Sequence, residues 1–267
     1  MLLREPAPAK INLALHVRRR REDGRHDLET LFAFCTDGDF VSAEAADDLT
    51  LSIEGPFAPG LEADDGNLVL RAARALADAS ATTAGARLTL VKNLPVASGI
   101  GGGSADAGAT LRLLTRLWGI DPAHAVDVAP GLGSDVPACL LSLTARGEGA
   151  GDALELIDAG VSGMPILLVN PREALSTAAV FAGWDGVDRG ALGDWREGRN
   201  DLEAPARKRV PVIGEVLDWL GAQPDVTLAR MSGSGATCFA LFADEAARDQ
   251  AAAACPAKWW HLASVLR

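Results

Sequence analysis

The chain of 267 residues has no tyrosine, only four cysteines and too few cations to balance its acids. Each shortage removes a class of function. Lysine and arginine number 25 against 36 aspartates and glutamates, a formal net charge of −11. A nucleic-acid backbone is held mainly by clustered cations that release counterions, so nucleic acid is set aside as a partner. Cys35, Cys139, Cys238 and Cys255 are dispersed, with no C-x-x-C pair and no histidine at metal-ligand spacing, which argues against a disulfide framework and against zinc. They read as small apolar residues in a reducing cytoplasm. No run of about twenty apolar residues occurs, and Leu2-Leu3 pass straight into Arg4-Glu5 instead of a signal-peptide core. A soluble, cytoplasmic protein with no membrane partner is expected.

What is present suffices for two modest domains: 48% of residues are hydrophobic and need no covalent staples. From Lys10 to Val17 the pattern alternates, with Ile11, Leu13, Leu15 and Val17 on one face and Lys10, Asn12, Ala14 and His16 on the other, predicting a strand with one buried side. Asp23-Gly24 predicts a tight turn into a second strand, His26 to Phe34, and Val41 to Ile53 predicts more strand. Helices are expected at Asn67 to Ala79 and Ala105 to Trp118, the latter ended by Gly119 and Pro122, with a strand at Arg87 to Val91 between them. Met164 to Val169 opens a second unit, and a soft boundary falls near Asp158. Helices at Ser176 to Phe181, Val212 to Leu220 and Glu245 to Ala254 follow, with two strands flanking Ser232-Gly233-Ser234-Gly235.

The stretch from Pro95 to Gly108, PVASGIGGGSADAG, holds five glycines, four of them directly before a helix. Glycine lets main-chain N–H groups converge on one point, and at a helix start they add to the positive end of its dipole. A phosphate is the natural guest, and tight helix packing or a plain turn is the alternative. No lysine follows the glycines as in a Walker loop, and Ser104 stands where a dinucleotide fold needs its last glycine.

Three segments in order, Pro8-Ala9-Lys10-Ile11-Asn12-Leu13, Gly99-Ile100-Gly101-Gly102-Gly103-Ser104 and Ser232-Gly233-Ser234-Gly235-Ala236, resemble the three motifs of the galactokinase, homoserine kinase, mevalonate kinase and phosphomevalonate kinase superfamily. Within it the chain resembles the 4-diphosphocytidyl-2-C-methyl-D-erythritol kinase family, through Asp23-Gly24-Arg25-His26-Asp27-Leu28, Asn67-Leu68-Val69, Leu132-Gly133-Ser134-Asp135-Val136-Pro137, Ser176-Thr177 and Asn200-Asp201-Leu202-Glu203. The resemblance covers nearly the whole chain. It implies an α+β, two-domain small-molecule kinase fold with the active site in the inter-domain cleft. Residues 1–157 would form an N-terminal catalytic and ATP-binding domain and residues 158–267 a C-terminal α+β substrate-side domain.

The implied reaction moves the γ-phosphoryl of ATP, with Mg²⁺, to the 2-hydroxyl of 4-diphosphocytidyl-2-C-methyl-D-erythritol, a step of the non-mevalonate isoprenoid pathway. A sibling kinase of homoserine or a mevalonate-type alcohol, and a non-catalytic ATP sensor on the same fold, are the rivals. By resemblance Asp135 is the general base and Lys10 orients the acceptor hydroxyl. An Asp beside a Lys stays ionised and able to accept a hydrogen bond, which suits the role. Read alone, Asp135 is equally a first-turn acid capped by Ser134, and Lys10 a solvated strand end.

The resemblance points to Asn67, Leu68, Lys92, Leu94, Pro95 and the loop Ser98, Gly99, Ile100, Gly101, Gly102, Gly103 and Ser104 for ATP. It points to Asn12, Arg25, His26, Thr177 and Phe181 for the substrate, with His26 bonding the cytosine and Phe181 stacking on it. Ser104 could bond phosphate or help a metal, or only satisfy helix N–H groups; no carboxylate set with magnesium spacing is visible, and the metal ligands stay unknown. Asp106, whose charge would oppose a phosphate, is expected to point outward. Where the family carries a tyrosine this chain has Arg25, whose flat guanidinium can stack on cytosine in its place. Arg18-Arg19-Arg20-Arg21 reads as a solvated hairpin end or as a steering patch for an anion. A monomer or weak homodimer is expected.

Overall fold

The structure, a computed structural model, describes all 267 residues. In chain order its strands are β1 (Leu3–Arg20), β2 (His26–Ala46), β3 (Leu49–Glu54), β4 (Gly85–Val91), β5 (Ala145–Glu148), β6 (Ala153–Leu156), β7 (Pro165–Asn170), β8 (Val226–Met231), β9 (Cys238–Phe242) and β10 (Trp260–Val265). Its helices are α1 (Leu68–Ser80), α2 (Gly102–Trp118), α3 (Ala123–Leu132), α4 (Val136–Leu141), α5 (Thr177–Ala182), α6 (Glu203–Arg209), α7 (Val212–Gly221) and α8 (Glu245–Ala254). The architecture is α+β. No helix is long and apolar enough to cross a membrane.

Two compact units divide the chain, each assembled from several stretches. The first comprises residues 1–9, 37–96 and 101–142. In it the second half of β2 pairs antiparallel with β4, from Phe40 opposite Val91 to Ala46 opposite Gly85, and β3 lies parallel to β4. The single strand expected from Val41 to Ile53 is therefore two. The exposed pair Asp47-Asp48 breaks it, because Leu49–Glu54 must reverse direction to join β4 from its other edge. The helices α1 to α4 bury Leu70, Leu76, Leu111, Leu113 and Leu114, each leucine contributing about 1.5–3 kcal/mol.

Helix α2 begins at Gly102, three residues before the expected Ala105, although glycine is a poor helix former. Close neighbours at this start favour glycine there. An added Cβ at Gly102 would stand 3.1 Å from Lys92 Nζ, and one at Gly103 would stand 3.3 Å from a Leu68 methyl. Close packing thus accounts for two of the glycines, whatever the loop also binds.

The second unit comprises residues 10–36, 97–100 and 143–267. It holds β5, paired with β2 at Thr30–Phe32, then β6, and a four-stranded antiparallel sheet in the order β10-β7-β9-β8. Leu167 and Val169 of β7 and Cys238, Ala240 and Phe242 of β9 present one face to a core containing Val180 of α5, Ala206 of α6, Val216 of α7 and Ala251 of α8. Leu15 and Val17 of β1 join that core, as their alternation predicts. The opposite face of β1 departs from expectation: Lys10, Asn12 and His16 are 3%, 3% and 2% exposed. Lys10 is no solvated strand end, and both sides of the strand are buried because its polar side chains find partners.

Candidate active site

The glycine loop has positive φ at alternate residues, Ala97 (51°), Gly99 (80°) and Gly101 (63°). An added Cβ at Gly99 would lie 2.5 Å from the Gly235 carbonyl oxygen, so no side chain fits where the two loops meet. Four consecutive carbonyls of this stretch are taken by protein donors. Ser98 O accepts from Thr237 N (3.1 Å), Gly99 O from Ser232 Oγ (3.1 Å), Ile100 O from Lys10 N (3.0 Å) and Gly101 O from Ala105 N (2.7 Å). In a trans peptide the N–H points opposite to the C=O, so the N–H groups of residues 99–102 face away from those donors. Consecutive main-chain N–H groups of this kind can receive an anion, and α2 follows directly in the chain with the positive end of its dipole.

Lys10 is oriented by a chain of hydrogen bonds. Its Nζ donates to Asn12 Oδ1 (2.9 Å), Asn12 Nδ2 donates to Thr30 Oγ1 (2.8 Å), and Thr30 Oγ1 donates to Ala14 O (2.7 Å). The Asn12 main-chain N–H donates to Ser232 Oγ at 3.1 Å, and Lys10 Nζ stands 5.3 Å from the Phe32 ring centre. Asn200 Nδ2 donates to Met231 O and Gly233 O, both at 2.8 Å, and so braces the turn that carries Ser232. Lys10, Asn12, the loop carbonyls and the Ser232–Gly235 turn therefore form one network. Thr30 is the member that the sequence analysis did not single out, whereas Ser232 and Asn200 belong to segments already quoted for the resemblance; a buried hydroxyl carries no sequence period that would reveal it.

The substrate-side residues converge only in part. His26 lies against Phe181, with ring centres 5.0 Å apart, and edge-on to Trp184 at 5.8 Å. Burial, and then the cation of Arg20, hold the His26 pKa below its usual value, so the ring is neutral near pH 7. Thr177 Oγ1 shares a hydrogen bond with Ser234 Oγ at 2.9 Å. Arg25 is exposed on the hairpin, where its main-chain N–H bonds Asp23 Oδ1 at 3.0 Å, and Arg20, not Arg25, reaches His26. Trp184 completes the aromatic group and was not foreseen; it follows the short helix α5, beyond the reach of a helical pattern. Three of the four arginines before the turn are ion-paired, Arg18 to Glu29 and Asp188, Arg19 and Arg21 to Asp27, while the fourth, Arg20, turns to His26.

Lys92 is occupied from within its own unit. Its Nζ donates to Asp39 Oδ2 (2.5 Å) and Asp106 Oδ2 (2.7 Å), all three side chains being buried. The expectation that Asp106 points outward is overturned: it is 3% exposed and faces Lys92 beneath the first turn of α2. Asp39 Oδ1 also accepts from Asn93 N and Leu94 N, fixing the exit of β4 toward the loop. Burial raises the Asp106 pKa to about 7 against the opposing pull of Lys92, and the nearby Asp39 carboxylate adds to the rise. Burial opposes the charge on Lys92, yet its two carboxylates outweigh that and hold its pKa above the usual value.

Asn67 caps α1, its Oδ1 accepting from Val69 N at 3.0 Å. Leu68 lies under Gly103, and Leu94 is fully buried. Pro95 is buried beside it, and Ser104 is half-buried on the first turn of α2, where no side-chain cap is formed. Asp135 stands at the start of α4 without capping it. No group of three or more His, Cys, Asp or Glu side chains is placed to hold a metal ion.

The GHMP kinases N terminal domain model matches residues 67–142, and the GHMP kinases C terminal model matches residues 185–261. A 4-diphosphocytidyl-2-C-methyl-D-erythritol kinase of Rhizorhabdus wittichii is 57% identical over 98% of this chain and 94% of its own. One of Novosphingobium aromaticivorans is 52% identical over 100% of this chain and 94% of its own. A crystal structure of 4-(cytidine 5'-diphospho)-2C-methyl-D-erythritol kinase matches with a TM-score of 0.85 and 32% identity over 99% of both chains. With identity at this level running the length of the chain, and the Lys10, glycine-loop and Ser232 segments joined in one network, the protein belongs to the 4-diphosphocytidyl-2-C-methyl-D-erythritol kinase family of the GHMP kinases.

Proposed function

We propose that the protein transfers the γ-phosphoryl group of ATP to the 2-hydroxyl of 4-diphosphocytidyl-2-C-methyl-D-erythritol, within the non-mevalonate route to isoprenoid precursors. The observation that supports the ATP half is the run of four committed carbonyls at residues 98–101, which leaves the following N–H groups facing away from those donors and available to an anion. Asn67, Leu68, Leu94 and Pro95 border the adenosine in this reading. Lys92 supports the loop from below without touching phosphate.

Asp135 takes the proton of the 2-hydroxyl as that oxygen attacks the γ-phosphorus. The bond from phosphorus to the β,γ-bridging oxygen breaks and ADP leaves. Lys10, held by Asn12, orients the acceptor oxygen and offsets charge on the transferring group. His26 and Phe181 take the cytosine, a neutral imidazole being able both to donate and to accept a hydrogen bond. Thr177 and Asn12 lie along the substrate, and Arg25 swings over the base as a flat cation.

Mg²⁺ arrives with ATP. No group of three or more His, Cys, Asp or Glu side chains is present to form a protein cage, so phosphates and water would supply most of its ligands, with the Ser104 hydroxyl helping. The division at 157/158 into a catalytic, ATP-binding part and a substrate-side part is supported by the two matched family segments, which fall on either side of it. We read the protein as a cytoplasmic monomer or weak homodimer.

The test is ADP release from Mg-ATP with the cytidine substrate, beside homoserine and mevalonate, for the native chain and Asp135→Asn. Turnover with the cytidine compound alone, lost in the variant, is expected. Turnover that survives the substitution removes Asp135 from its role. ATP binding without turnover on any acceptor favours a sensor instead.

A further inference from the structure

The helix that begins at Asp135 is short. Helix α4 runs for 6 residues, Val136–Leu141, and its end carbonyls lack the helical partners of a longer helix. Two of them are held from α2. Arg112 Nη1 donates to Cys139 O at 2.6 Å and to Leu140 O at 3.1 Å. The same guanidinium donates through Nη2 to Pro6 O at 2.9 Å and through Nε to Glu5 Oε1 at 2.7 Å. Arg116, one turn further along α2, takes the second oxygen of Glu5 at 2.5 Å.

One turn before Arg112, on the same face of α2, stands Gly108. A Cβ added there would lie 2.7 Å from the Cys139 carbonyl carbon and 2.9 Å from Leu140 N, so α2 and α4 meet backbone to backbone. Arg112 then clamps the same two residues that Gly108 admits. A planar fork with five donors can hold two carbonyls of one helix, a strand carbonyl and a carboxylate at once, which an ammonium group cannot.

We propose that Arg112 is a positioning residue of the phosphoryl transfer: it fixes α4, and with it Asp135, on the helix that carries the phosphate loop. The inference rests on the reading of Asp135 as the base. Arg112 touches neither nucleotide nor acceptor in it. Its effect is exerted through the place where the carboxylate stands, and misplacement by about 1 Å is enough to cost on the order of a hundredfold in rate.

The test is a double-mutant cycle on the full chain with Mg-ATP and the cytidine substrate, using the native protein, Arg112→Ala, Asp135→Asn and the pair, with kcat and KM measured for each. Arg112→Ala is expected to lower kcat by about ten- to a hundredfold while KM for ATP moves less than about threefold, and Arg112→Lys to recover part of the loss. In the Asp135→Asn background, loss of Arg112 should change the residual single-turnover rate by less than about threefold, because the group it positions is already gone. An equal factor in both backgrounds means a general structural role and overturns the proposal, as does a native kcat in Arg112→Ala. Should Arg112→Ala fail to fold, the cycle is run with Arg112→Lys and judged by the same comparison. Native turnover in Asp135→Asn sinks the base assignment itself, and the role of Arg112 falls with it.

Discussion

The imidazole of His26 and the ring of Phe181 lie 5.0 Å apart, tilted by 35°, and so close upon one another the space where a flat base could stack. Phe181 sits on the short helix α5, whose cap is the Ser176 side chain accepting from Ala179 N at 3.3 Å. His26 starts β2 and is anchored by the sheet. In the proposed function, a cytosine entering beside His26 displaces or slides along the Phe181 ring.

Phe181→Ala is therefore expected to raise KM for the cytidine substrate by about tenfold, a loss of aromatic stacking of about 1–1.5 kcal/mol, with KM for ATP unchanged. Steady-state kinetics with each substrate varied in turn checks it. An equal rise for ATP would point to disturbance of the sheet rather than of the base.

Arg25→Ala tests the replacement of an aromatic residue by a guanidinium. Stacking worth about 1 kcal/mol at a partly exposed site corresponds to about a fivefold rise in KM for the cytidine substrate. No change would leave Arg25 as a solvated hairpin residue, which is how it stands in the absence of a base.

Gly24 and Gly99 share a φ near 80° but differ in surroundings: nothing lies within 4 Å of a Cβ at Gly24, whereas one at Gly99 meets Gly235 O at 2.5 Å. Gly24→Ala should cost only the left-handed backbone penalty, about 1–2 kcal/mol. Gly99→Ala should cost more and also weaken ATP, since the phosphate loop must shift. Thermal unfolding of both variants, with ATP titration of each, separates the two effects.

The buried Asp106 carries a linkage with a definite sign. Its folded pKa, about 7, lies above its ordinary value of 3.8, so the folded chain holds a proton that the unfolded chain releases. The stability it lends is present below pH 3.8 and is lost as pH rises through about 7. Asp106→Asn, which keeps an oxygen for Lys92, should gain stability relative to the native chain between pH 5 and 8, read as the difference in denaturant midpoints. A constant difference across that range would show Asp106 to be ionised throughout.

Lys92→Met leaves Asp39 and Asp106 buried without their cation. A loss of about 3–5 kcal/mol is expected, larger than for any surface lysine. Urea denaturation at pH 8, above the Asp106 pKa of about 7, measures it.

Much of the fold is legible in the pattern of residues because periodicity reports burial on one side of an element. The alternation of Ile11, Leu13, Leu15 and Val17, the helices α1, α2 and α7 and the strands β7 and β9 all announce themselves in this way. The pattern falls silent where both sides of an element are buried. Nothing in Lys10, Asn12 and His16 distinguishes a solvated face from a polar network, and nothing in Asp106 tells that it turns inward.

The sequence by itself determined the family, since ordered short motifs survive any local uncertainty about strands and helices, and it determined where the glycine loop lies. Only the tertiary structure decided what those glycines do. Gly99 and Gly101 supply positive φ, while Gly102 and Gly103 make room for Lys92 and Leu68. It also decided that Lys92 is engaged by two carboxylates and that Arg112 clamps the carbonyls of α4. These are contacts between residues far apart along the chain, set by close packing in three dimensions, and no local period in the sequence encodes them.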